Sequence, residues 1–113
     1  MLLAKMKNFS TKIYEKLKKV PKSNVVTYKE LAHAIDSRAY RAVGSAMKNN
    51  KDPIKVPCYK VIESSGKIGG YCGKTKGEKI KEKIKLHEID GIEIKNNKIV
   101  NLEKYLYKFS KIR

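Results

Sequence analysis

The sequence predicts a small α+β domain, mainly helical, with a helix-turn-helix core, short strands and a hairpin, in the manner of a winged helix. Three observations predict it. Apolar residues recur at steps of three and four through the first fifty positions, the spacing of one helix face. A short polar stretch, Asp36 to Arg38, joins two of these helical segments, as in a helix-turn-helix unit. Further on, "GIEIKNNKIV" alternates apolar and polar residues around Asn96 and Asn97, a hairpin signal. The 113 residues read as one domain, 1–113, with no repeat or linker dividing them. A chain of this length buries about 65% of its unfolded surface, enough for one core without staples.

In chain order, Leu2, Met6, Phe9, Ile13, Leu17 and Val20 form the face of a first helix, which Pro21 ends. "KSNVV" returns the chain in extended form. Thr27 is then the N-cap of a second helix, and Glu30, three places on, completes a capping box. Tyr28, Leu31 and Ile35 supply that helix's apolar side. A third helix runs from the Asp36–Arg38 turn to about Asn50. One side of it is nearly bare, carrying Ala42, Gly44, Ser45 and Ala46. A mid-helix glycine costs about 1 kcal/mol relative to alanine. Close packing against a neighbouring helix and close approach of a ligand or nucleic-acid backbone both explain it, and both stay open at this point.

After "KDPIKVPCYKVI" comes "SSGKIGGYCGK", with four glycines in eleven residues, read as turns with a bridging strand. It is not a Walker phosphate loop, because no Gly-Lys-Ser/Thr follows at the required spacing. Ile80, Ile84 and His87 share a face of the lysine-rich helix that follows, which makes His87 a core histidine. Leu102, Tyr105, Leu106 and Phe109 suggest a short closing helix.

The formal charge of +16 comes from lysines and arginines spread along the whole chain. Such a field favours polyanions, nucleic acid first and an anionic membrane surface second. There is no secretory signal and no apolar run long enough to span a bilayer, so a cytoplasmic chain with no membrane partner is expected. Cys58 and Cys72 are then expected to stay reduced. With only His33 and His87 to join them, their spacing matches no zinc pattern, and no metal is expected.

Four stretches, "TYKELA", "RAVGSAMKNN", "VPCYKVI" and "GGYCG", stand in order between Val25 and Glu88. Together they resemble the C-terminal domain of the O6-alkylguanine-DNA alkyltransferases. The family pattern runs roughly TYGELA, RAVGxAxxxNP, IPCHRV, then Gly-Gly-Tyr-x-Gly and a helix ending in glutamate. The resemblance implies a one-shot repair protein that binds double-stranded DNA through its minor groove and flips the damaged guanine from the stack. Cys58 would take the alkyl group from O6-alkylguanine, and by extension O4-alkylthymine, as a permanent thioether. No cofactor is needed, because the lesion carries its own leaving group, and the protein is expected to act as a monomer. The family's N-terminal domain is read as absent.

The resemblance also implies roles. Arg41 matches the arginine that fills the vacated stack, with Ala42, Gly44 and Ser45 letting the groove come close. Tyr28 matches the tyrosine that presses on the lesion's phosphate and helps protonate the departing guanine. Met47, Val61, Tyr71 and Cys72 match the pocket wall. Asn50 matches the asparagine organising the turn behind the nucleophile, and Glu88 the carboxylate ending the activating relay. There are departures. Tyr59 and Lys60 replace the family's His-Arg after the cysteine, Lys51 replaces a proline, Cys72 lies where serine is common, and Lys74 replaces a glycine. With a reference pKa of about 10, Tyr59 is no neutral-pH base. It would instead carry the thiol proton through water to Glu88, or the thiolate would be held by cations including Lys60. Tyr59 therefore favours a second reading, an alkyltransferase-like protein that binds the lesion and flags it for another pathway; retention of Cys58 favours transfer. A transcription factor reading the major groove is weaker, since the third helix offers Ala, Gly and Ser where base-reading side chains are needed.

Overall fold

The computed structural model describes residues 8–109. Helix α1 (Phe9–Leu17) starts at Asn8, whose side chain accepts from the Thr11 N–H at 2.8 Å. Ile13, Leu17 and Val20 are buried as the apolar spacing requires, while Leu2 and Met6 lie outside the described residues. The helix stops at Leu17, earlier than Pro21, and a tight turn carries the chain on.

Strand β1 (Val26–Thr27) leads directly into α2 (Tyr28–Ala34). Thr27 Oγ1 accepts from the Glu30 N–H at 2.9 Å, satisfying one of the orphan donors of the first turn. The Glu30 carboxylate accepts from the Phe109 N–H at 3.1 Å and so ties the chain's end to this helix. Helix α3 (Tyr40–Lys48) follows, with Ser37 Oγ accepting from the Ala39 N–H before it. α2 and α3 pack together against α1, and Tyr14 of α1 donates to the Ala46 carbonyl of α3 at 2.6 Å. The helix-turn-helix core is as predicted.

The chain then passes a 3-10 turn, Cys58–Lys60, and enters β2 (Val61–Ile62). β2 pairs in parallel with β1, Val26 opposite Val61 and Thr27 opposite Ile62. This pairing, which the sequence does not announce, fixes the cysteine turn beside the start of α2. Helix α4 (Glu78–Ile89) lies against the 3-10 turn. Strands β3 (Ile94–Lys95) and β4 (Lys98–Ile99) form the predicted hairpin. Asn96 and Asn97 both have positive φ, 53° and 60°, as a type I′ turn demands. Helix α5 (Leu102–Tyr105) closes the fold, and Val25 exchanges backbone hydrogen bonds with Tyr105 and Tyr107. No helix among the described residues is long and apolar enough to cross a membrane.

Candidate functional site

Cys58 is 5% exposed and lies in the lining of a cleft of about 160 Å³. The cleft brings together Tyr28 from α2, Gly44 and Met47 from α3, and Tyr71 and Cys72 from the glycine-rich loop. Lys48, Gly70, Gly73, Lys74 and Thr75 complete it. Both cysteines are free thiols. The turn holding Cys58 is braced from behind: Asn50 Nδ2 donates to the Val56 carbonyl at 2.8 Å, and Asn50 Oδ1 accepts from the Asp52 N–H at 3.1 Å.

Burial pushes the Cys58 thiol up from its ordinary value; a hydrogen bond from Asn50 and the charge of Lys83 oppose that rise. Tyr28 is likewise raised, first by burial and then by Glu63 and Cys58, so its hydroxyl keeps its proton and can donate it. Tyr71 is raised for the same leading reason, burial.

Gly44 decides a question the sequence leaves open. A Cβ added there would meet nothing within 4 Å, so no neighbouring helix needs the glycine. Its bareness is directed outward, at the mouth of the cleft. Arg41 and Ser45 are exposed on the same helix and Ala42 is half-buried.

The structure departs from expectation at three residues. Glu88 is exposed and, among the described residues, makes no hydrogen bond with Tyr59; the Tyr59 hydroxyl donates to Asp90 Oδ2 at 2.5 Å. The reason is the helical step of about 100°: Ile80, Lys83 and His87 turn inward from α4, so Glu88 turns out. Asp90 caps the helix where the chain swings back toward the 3-10 turn, and the Ser23 hydroxyl holds its carbonyl at 2.7 Å. Val61 does not line the cleft; pairing with β1 buries it completely in the core. Lys60 turns away from the thiol, its Nζ donating to the Val20 and Pro21 carbonyls at 2.9 and 3.2 Å.

The cation behind the site is Lys83, which is fully buried. Its ammonium donates to the carbonyls of Val61 (2.8 Å), Gly70 (2.9 Å) and Ile68. Burial pulls its pKa down to about 7, while Cys58, Glu63 and Cys72 pull it back up. Three carbonyls match the three N–H bonds of an ammonium, so the cradle suits the charged form. The signal was present in the sequence, since Lys83 falls in the middle of the inward stripe between Ile80 and His87.

His87 is also fully buried, edge-on to Tyr59 with ring centroids 5.5 Å apart. Neither ring nitrogen makes a well-formed hydrogen bond, although the Tyr59 backbone is near enough to favour protonation slightly. Burial first, then Lys83, lowers its pKa to about 4. The unfolded histidine, at about 6.5, binds more protons than the folded one between these values. Stability should therefore be full above that window and fall as pH drops through it. The slope is at most about 1.4 kcal/mol per pH unit. His87→Leu should flatten the slope in urea titrations between pH 7 and 4; an unchanged slope would assign the acid lability to another group.

Fold and cleft together define a helix-turn-helix domain with a buried thiol beside a bare helix face. The chain belongs to the O6-alkylguanine-DNA alkyltransferase family: residues 8–92 match the family described as 6-O-methylguanine DNA methyltransferase, DNA binding domain. It is 45% identical over 83 residues to the methylated-DNA–protein-cysteine methyltransferase of Cricetulus griseus, covering 72% of this chain and 39% of that one. Among solved structures it resembles Atl1 of S. pombe, crystallised with damaged DNA containing O6-carboxymethylguanine, at a TM-score of 0.76 and 28% identity. That match covers 91% of this chain and 99% of Atl1. It also resembles the O6-methylguanine-DNA methyltransferase of Pyrococcus kodakaraensis, at a TM-score of 0.65 and 43% identity, over 77% of this chain and 48% of the other. The chain spans between 30% and 45% of the length of the curated relatives it matches.

Proposed function

We propose that this chain repairs duplex DNA by transferring the alkyl group of O6-alkylguanine to Cys58, once per molecule, and that residues 1–113 form the single domain that does so. The observation that carries the reading is the cleft itself. It sets a buried thiol, a protonated tyrosine and an outward-facing glycine around one space the fold does not fill.

In this mechanism α3 enters the minor groove, Arg41 occupies the gap left by the extruded guanine, and the base lies between Tyr28, Met47 and Tyr71. The Cys58 thiolate attacks the alkyl carbon, the C–O6 bond breaks, and its electron pair leaves on the purine. Tyr28 O–H gives that purine a proton and takes one back from solvent, so guanine leaves neutral and the tyrosine returns to its protonated form. Lys83 stabilises the thiolate from behind through its charge. The thiol's proton passes through water to the Tyr59 hydroxyl, which hands its own to Asp90; Asp90 takes the place the resemblance gives to Glu88. The route substitutes a tyrosine–aspartate pair for the family's histidine–glutamate one. Nothing in the reaction needs a cofactor.

The second reading, a lesion-binding protein that does not transfer, is favoured by Tyr59 in the histidine's place and by the likeness to nearly the whole of Atl1. Incubation with a duplex containing one O6-methylguanine separates the two. A mass gain of one methylene on the peptide carrying Cys58, in stoichiometric yield, is the expected result. Tight binding with no mass gain would leave the lesion sensor.

A further inference from the structure

Tyr40 opens α3 and, at 38%, is the only exposed aromatic side chain among the described residues. Its hydroxyl shares a hydrogen bond of 2.7 Å with His33 Nε2 of α2, and the two rings meet at 64° with centroids 5.6 Å apart. The polar tip of the side chain is thus occupied and its rotamer set, while much of the ring is left open to solvent. Gly44, one helical turn further on, lies on the same face of α3 and lines the cleft beside Cys58. Tyr40 therefore stands about 6 Å before the cleft mouth along the helix axis. It lies just outside the motif that starts at Arg41, and the mechanism above gives it no part.

We infer that Tyr40 is a wedge, its ring entering the minor groove and unstacking a base step next to the lesion; this rests on the reading of α3 as the helix that meets DNA. Extrusion of the guanine then starts from a stack already opened. Base steps are about 3.4 Å apart along a strand, so a ring about 6 Å from the cleft mouth falls about one to two steps from the base the cleft receives. Apolar side chains inserted from the minor groove partly unstack the step they enter, and an aromatic face stacks on any base. Two features suit Tyr40 to this more than an ordinary surface tyrosine. Its hydroxyl already has a partner, so burying the ring strands no polar group. Its rotamer is already held by His33, so little conformational freedom is lost on docking. The other use of the pair, a clamp between α2 and α3, needs the hydrogen bond but not an exposed ring. A phosphate contact is not available to a ring whose hydroxyl is engaged.

The test uses the full chain and O6-methylguanine duplexes that carry 2-aminopurine, which brightens when unstacked, at the positions flanking the lesion. At saturation the parent complex should be brighter than the Tyr40→Ala complex at one of these positions. Tyr40→Ala should also weaken binding about five- to fifty-fold, the size of one base–aromatic contact, with the salt slope unchanged because no charge is lost. Tyr40→Phe keeps the ring and drops the bond to His33, so it should keep the brightness and bind closer to the parent than to Tyr40→Ala. A clamp predicts another order: Tyr40→Phe and His33→Ala as damaging as Tyr40→Ala, with lower urea midpoints and brightness unchanged at saturation. That order overturns the wedge, as does equal affinity of Tyr40→Ala and the parent. Lost affinity with unchanged brightness refutes it too, since the ring would then rest on the sugars without opening a step. If Arg41→Ala is silent as well, the placement of α3 on DNA falls with the wedge; if Arg41→Ala alone weakens binding, only the wedge falls. Stoichiometric methyl transfer to Cys58 alongside a failed wedge would leave the repair function standing. The wedge signature with no transfer would assign the device to a lesion-binding protein.

Discussion

Cys58→Ser should abolish alkyl transfer while leaving affinity for an O6-methylguanine duplex within about three-fold, under 1 kcal/mol by affinity arithmetic. The chemistry requires an anion that attacks carbon, and a thiol supplies one far more readily than an alcohol. Burial already holds the Cys58 proton on more firmly than in free cysteine, and Asn50 and Lys83 only partly offset that. An alkoxide in the same cleft would start from a far higher pKa and meet the same desolvation. Binding should survive because the groups proposed to hold the duplex, Arg41, Gly44 and Tyr28, are untouched and serine is smaller than cysteine. Peptide mapping is needed as well as total mass, since Cys72 lines the same cleft. Methylation of Cys72 in the serine variant would mean that the cleft, not one activated thiol, confers reactivity. Loss of binding along with transfer would make the sulfur itself part of lesion recognition.

The sequence makes the helical core legible because its signals are local. The Thr27 cap, the polar turn before α3 and the Asn96–Asn97 hairpin each depend on residues within a few positions of one another. The β1–β2 pair was not legible. Two-residue strands have no alternation to read, and the register of Val26 with Val61 depends on everything folded between them. The site divides the same way. Motif positions such as Tyr28, Met47, Cys58, Tyr71 and Cys72 do converge on one cleft, whereas the carboxylate beside Tyr59 could not be chosen by motif alignment. Glu88 and Asp90 stand two residues apart at a helix end, and only the direction in which the chain leaves α4 selects Asp90. Lys83 is hidden in the sequence for a different reason: among so many lysines a buried one looks like its neighbours, and spacing alone marks it.

Lys83→Met should be the most damaging substitution away from the nucleophile, on stability and on thiol reactivity together. The methionine fills much the same volume but leaves the carbonyls of Val61, Ile68 and Gly70 buried without their donor. An unsatisfied buried acceptor costs about 1–3 kcal/mol, and part of that returns because no ammonium has to be desolvated. A net loss of roughly 2–4 kcal/mol is expected, visible as a lower urea midpoint with little change in the slope. The same three carbonyls come from β2 and from the glycine-rich loop, so the cleft wall that carries Tyr71 and Cys72 should loosen with them. The thiol should respond independently. Lys83 is the cation opposing the upward pull of burial on Cys58, so its removal should raise the thiol pKa further and slow carboxamidomethylation by iodoacetamide at neutral pH. Repeating that reaction as a function of pH separates the two effects, because a loosened wall would expose the sulfur and speed labelling, whereas a lost charge shifts the profile to higher pH. A Met variant with parental stability would show that water replaces the ammonium among the three carbonyls. An unshifted profile would show that Lys83 supports the cleft without tuning its sulfur.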